Sequence, residues 1–102
     1  MNTKTIVLPN ILDLKAAGPL TEKLLPLRGN DLLIDASQVE RLGGQCLQVL
    51  ISAVATWHSD GATADILNPS DGFVEGLAML GMRPDDLFGP SEAAEQDDRT
   101  AA

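Results

Sequence analysis

At 102 residues the chain is the size of one domain, enough for a single core of moderate size and too short for two. Hydrophobic residues make up 44% and charged residues 22%, the balance of a folding globular protein and not of a disordered or fibrous one. A net charge of −8 disfavours phosphate backbones and anionic membrane surfaces as partners and steers the molecule toward basic protein surfaces. With only Trp57, Phe73 and Phe88 as aromatics, the core must be aliphatic, which suits helices packed on a sheet.

Thr5-Ile6-Val7-Leu8 is β-branched and apolar and predicts a strand; Pro9-Asn10 turns the chain into a second short strand at Ile11-Leu12. From Ala16 the pattern becomes helical, with Leu20, Leu24 and Leu27 on one side, Pro19 tolerated in the first turn, Pro26 distorting the last, and Gly29-Asn30 as the stop. Leu32-Leu33-Ile34, ending in Asp35, is a continuous apolar run of the kind found in a central strand covered on both faces. Ala36 to Leu42 is expected to be a connection with Val39 and Leu42 pointing inward, closed by Gly43-Gly44.

Gln45 to His58 is the strongest helix, with Leu47, Leu50, Ile51, Val54 and Trp57 in one stripe and Cys46, Val49 and Ala53 beside it. Its other face is small and uncharged, with Gln45, Gln48, Ser52, Thr56 and Ser59 where a solvated helix normally carries Lys and Glu. Asp60-Gly61 ends it, Ala62 to Leu67 is a further strand, and Asn68-Pro69 follows. Ser70 is an N-cap for a third helix with Phe73, Leu77 and Leu80 on one face, stopped by Gly81; Leu87 and Phe88 then fold back on the core. From Ser91 the chain is small and acidic, with Glu92, Glu95, Asp97 and Asp98 against Arg99, and is expected to be a flexible tail.

The alternation of strands and helices predicts an α/β domain over residues 1–90, followed by the tail at 91–102, with helices mainly on one face and the other face or an edge left for partners. A lone cysteine excludes an internal disulfide and fits a reducing compartment. The N-terminus has no apolar run long enough for a signal peptide, and nothing approaches the ~20 apolar residues of a membrane span, so a cytoplasmic protein without membrane insertion is expected.

Several residues invite a sharper reading that plain chemistry already answers. Gly43-Gly44 lacks the Lys-Ser/Thr of a phosphate-binding loop. Cys46 is expected to be packed and inert, and His58 to sit favourably at a helix C-terminus. Asp85-Asp86 has no supporting metal ligands nearby in sequence, and turn or capping roles account for Asp35, Ser37 and Ser70. No nucleophile, base and oxyanion donor form a constellation, so no catalysis, cofactor or metal is expected.

Leu12-Asp13, the run Leu33-Ile34-Asp35-Ala36-Ser37-Gln38-Val39, the glycine turn into an apolar helix, and Leu77 to Met82 with Leu87-Phe88 together resemble the STAS domain, the family that includes the anti-sigma factor antagonists. The resemblance spans Thr5 to Phe88 and implies a single small mixed sheet of about four strands with three to four helices. In the family, the Asp-x-Ser-x-Val segment leads to an Asp-Ser-Ser-Gly-Leu turn whose second serine is phosphorylated by a partner kinase. Here the matching residues are Gly43-Gly44-Gln45-Cys46-Leu47, in which only the leucine agrees, and Gln45 stands at the phosphorylated position without a hydroxyl. The resemblance therefore implies a monomer or weak homodimer that binds a protein partner, a kinase or signalling regulator in sigma-factor or chemosensory control, through Asp35, Ser37, Gly43, Gly44, Gln45, Gln48 and Ser52, with no phosphorylation switch at Gln45. Two alternatives are a structural subunit against the ATPase of a lipid-transport complex, and a nucleotide or small-molecule sensor at the glycine turn.

Overall fold

The computed structural model describes residues 2–88; the acidic tail expected at 91–102 lies outside the described residues. Strand β1, Thr3–Val7, is built from the β-branched run at the start of the chain and pairs in parallel with β3, Asp31–Asp35, which pairs in parallel with β5, Ala64–Leu67. The sheet order β1-β3-β5 places Ile6, Ile34 and Ile66 in one row across three strands. Two shorter strands, β2 at Ile11–Leu12 and β4 at Arg41–Leu42, form a separate parallel pair. Every pairing among the described residues is thus parallel, and the small sheet expected to be mixed is instead divided into three strands and two. The segment read as a plain connection from Ala36 to Leu42 contains β4, while Val39 and Leu42 are buried as expected.

Parallel strands need crossovers, and the helices supply them. Helix α1, Ala17–Leu24, buries Leu20 and Leu24 and gives way at Pro26 to a single 3-10 turn, Leu25–Leu27, because proline has no N–H for the next helical bond. Helix α2, Gly44–Ser59, buries Cys46, Leu47, Leu50, Ala53, Val54 and Trp57. Ile51, expected in the central stripe, is only partly buried at its edge. The α2 C-terminus is closed by Asp60 and by Gly61 at φ 78°, where a side chain would be strained.

Helix α3, Asp71–Met79, starts at Ser70, whose Oγ accepts the N–H of Phe73 at 3.1 Å and donates to the Val39 carbonyl, tying the cap to the β4 segment. Phe73 and Leu77 are buried, but Leu80 is 43% exposed. The helix stops before Leu80, which leaves the helical region, and Gly81 at φ 82° turns the chain so that Met82 packs on the core in its place. A short helix, α4 at Pro84–Phe88, opens with the Asp86 carboxylate accepting the Arg83 N–H at 2.9 Å and buries Leu87 and Phe88.

The core lies on one side of the main sheet. Along β3 burial alternates, Leu32 and Ile34 being buried and Leu33 only half-buried, so the central strand is covered on one face and not on two. The helices crowd that one face, as expected from sequence. Val7, on the opposite face, is 48% exposed.

Candidate functional site

The β2–β4 pair sets the site. Strand β2 leads into α1 and β4 into α2, and their pairing is extended by the Gly43 N–H donating to the Leu12 carbonyl at 2.8 Å. The two helices therefore start side by side and run in contact. Between β2 and α1 lies a 3-10 turn, Leu14–Ala16, which Asp13 caps by accepting the Lys15 N–H at 3.1 Å; the Asp13 carbonyl accepts the Cys46 thiol at 3.2 Å, pinning the first turn of α2 to the start of the α1 segment.

Between α1 and α2 runs a groove of about 310 Å³. Leu24, Val49, Ala53 and Trp57 supply its apolar surface, with Leu25 from the 3-10 turn, 59% exposed, at the edge. Gln45, Gln48, Ser52 and Thr56, spaced three and four apart, form a polar and uncharged rim on the α2 side; Thr21 and Arg28 stand on the α1 side. Arg28 closes one end through a two-pronged pair with Asp60, its Nε and an Nη donating to the two carboxylate oxygens at 3.0 and 2.8 Å. That pairing raises the Arg28 pKa and lowers that of Asp60, the hydrogen bond contributing most to each shift. Below the groove the Trp57 indole N–H donates to the Asn30 carbonyl at 2.8 Å, fixing the ring as part of the floor.

The N-terminus of α2 opens next to this groove. Gly43 is its N-cap, in extended conformation, and no side chain caps the first turn. A Cβ at Gly43 would touch the Leu12 carbonyl at 3.4 Å, whereas one at Gly44 would meet nothing within 4 Å. The first position lies in ordinary van der Waals contact with the β2 backbone, and the second is open. First-turn N–H groups without a side-chain cap and the positive end of the helix dipole suit a carbonyl or carboxylate there. Cys46, in the same turn, is fully buried, and burial first and Asp13 second push its thiol pKa up, so it is a packing residue.

Of the residues expected to bind a partner, Gln45, Gln48 and Ser52 are exposed and meet on the groove rim, and Gly43 and Gly44 precede Gln45 at the start of α2, outside the groove lining. Asp35 and Ser37 are not part of it. Ser37 lies in a second, shallower concavity of about 760 Å³ with Asn10, Glu40 and Ser70. Asp35 ends β3 and accepts the Ser37 N–H at 2.9 Å, and that bond holds its carboxyl below the usual carboxylate range. Strand β3 ends at Asp35, at the C-terminal edge of the sheet, with Ser37 in the turn that follows, while β4 takes the chain away before α2 begins. His58 is exposed in the last turn of α2.

Sequence reasoning missed the α1 wall of the groove. Its one legible sign was Leu25, a leucine off the Leu20-Leu24-Leu27 stripe. It also missed Gly72 and Gly76, which let α3 lie directly on the β4 segment. A Cβ on Gly72 would come within 2.7 Å of the Val39 and Glu40 carbonyl oxygens, and one on Gly76 within 2.8 Å of the Leu42 Cβ. Two glycines four apart inside a helix, each unfavourable by propensity, are the signal of such an approach.

A family model described as "Mlab, STAS domain" matches residues 2–87. None of the curated proteins matches the chain. Among solved structures, the "NMR Structure of the protein TM1081" is similar, with a TM-score of 0.65 and 16% identity over 83% of this chain and 70% of that one. At that identity the likeness establishes the fold.

Proposed function

The chain belongs to the STAS domain family, and from that premise we propose that it is a non-catalytic, protein-binding regulatory module of bacterial signal transduction that docks on a kinase or another regulator through the α1–α2 groove. The observation that carries this reading is the uncharged rim of α2. Exposed Gln45, Gln48 and Ser52, with half-buried Thr56, line an apolar-floored groove without a single charge on that side. Burying such a rim against a partner removes no ion from water, and each amide or hydroxyl can exchange its water hydrogen bond for one across the interface. The open glycine turn at the start of α2 offers backbone donors to the same partner.

Gln45 sits where the family's phosphorylated serine stands by the motif correspondence given above. Its amide accepts no phosphoryl group, so the docked state is not released by phosphorylation at this position; control falls to the supply of partner. The same feature favours a second reading, a permanent subunit of a lipid-transport ATPase complex, since a structural contact has no use for a switch.

The test is affinity capture with the wild-type protein beside Gln45→Asp and Ser52→Arg, partners being identified by mass spectrometry. Both changes place a charge on the rim and should weaken capture by ~1–3 kcal/mol of binding, roughly five- to 150-fold, with unchanged thermal melting. A Glu75→Lys change on α3 should leave capture intact. An identical set of partners at identical yield for all four proteins would refute the groove as the docking surface, and an ATPase recovered at equal stoichiometry would select the second reading.

A further inference from the structure

The second face of the main sheet is uncovered among the described residues, although parallel sheets are ordinarily covered on both sides. Register fixes what it presents. Val7, Asp35 and Leu67 form one row, Thr5, Leu33 and Asp65 the next, and Thr3 with Asp31 the last. The apolar members Val7, Leu33 and Leu67 retain access to solvent, and Asp31, Asp35 and Asp65 surround the central Leu33 without a lysine or arginine among the strand residues of that face. By strand geometry Asp65 lies about 8 Å from each of the other two.

We propose that this face docks an amphipathic, basic helix of a partner protein, which supplies the missing layer of the fold. The sign of the charge chooses the occupant. A second copy of this chain would set three aspartates against three aspartates, and an anionic membrane or the acidic segment from Ser91 would be repelled in the same way. A basic segment is attracted by all three carboxylates at once and can cover Val7, Leu33 and Leu67 with its apolar side. The dimensions agree with one helix. Three strands spaced about 4.8 Å apart span about 10 Å, the diameter of a helix, and five residues of strand run about 16 Å, or three helical turns. This surface lies opposite the helix layer and is independent of the groove reading, because the variants that test one leave the other untouched.

The experiment is a titration of the isotope-labelled full chain with a synthetic peptide of about 18 residues, long enough to be helical, with leucines along one side and lysines flanking them. The expected result is saturable shifts centred on the amides of Val7, Leu33, Asp65 and Leu67, weakening steeply with salt, and none with the same peptide carrying glutamates for lysines. Asp65→Lys and Val7→Lys, both at exposed positions, should each weaken binding at least tenfold, while Glu75→Lys, the same charge change as Asp65→Lys but on α3, should alter it less than threefold. Shifts centred on the α1–α2 groove, equal weakening by all three charge changes, or sheet-face shifts that track protein concentration without peptide would each overturn the proposal, the last by making a second copy the occupant.

Discussion

Substituting Gly72 by alanine tests the packing that holds the site segment in place. In an ordinary helix interior Gly→Ala is stabilising by roughly 0.5–1 kcal/mol, because alanine has less backbone freedom to lose. Here the new methyl would sit 2.7 Å from the carbonyl oxygens of Val39 and Glu40 and 2.8 Å from the Glu40 carbonyl carbon. Ordinary carbon contacts begin near 3.5 Å, and backbone cannot rotate out of the way as a side chain does, so α3 must lift off β4. Phe73, fully buried one residue later, and the bond from Ser70 Oγ to the Val39 carbonyl are drawn with it. Overpacking of this kind costs about 1–3 kcal/mol, which outweighs the helix gain and leaves a net loss of about 0.5–2 kcal/mol. For a domain of this size each kcal/mol is worth roughly 4–8 °C of melting temperature. Gly44→Ala is the matched control. Its methyl meets nothing within 4 Å, and it should stabilise by about 0.4–1 kcal/mol. Urea and thermal unfolding followed by circular dichroism, with the buried Trp57 as a second probe, measure both. A Gly72→Ala protein as stable as wild type, or the two variants shifting in the same direction, would refute the reasoning.

Leu50 is fully buried at the middle of α2, and Leu50→Ala should cost about 2–5 kcal/mol in urea unfolding; a loss below about 1 kcal/mol would contradict the orientation of that helix. Asp60 has its pKa lowered by Arg28, so the stability it adds is present above its ordinary value of 3.8 and is lost as pH falls through the lower folded value. Melting temperatures followed from neutral pH down to about pH 3 should therefore fall further for wild type than for Asp60→Asn, and parallel curves would remove the pair from the acid response. Cys46 is buried with its thiol pKa raised, so iodoacetamide at mildly alkaline pH should label it slowly in the native protein and fully in urea; native labelling as fast as unfolded would place the thiol outside the core.

The elements were legible because their chemistry is local. The β-branched run before Pro9, the stripe through Leu47, Leu50, Val54 and Trp57, the Ser70 cap and the stops at Gly29, Gly61 and Gly81 each depend on neighbours within a few residues; each is present in the structure, the first strand starting and ending slightly earlier, at Thr3–Val7, than the Thr5 to Leu8 expected. The uncharged rim of α2 was legible for the same reason, since helical spacing alone puts Gln45, Gln48 and Ser52 on one side. What needed the tertiary structure is whatever depends on which elements touch. An apolar run such as Leu32-Leu33-Ile34 reads the same whether one or two layers cover it, and only the crowding of all the helices on one side leaves Leu33 facing outward among aspartates. The pairing of β2 with β4 joins residues 30 apart, brings α1 beside α2 to make the groove, and separates Ser37 from Gln45 although eight positions divide them in sequence. Gly72 and Gly76 acquire their meaning in the same way, from a carbonyl and a leucine on a segment whose approach no periodicity within α3 records.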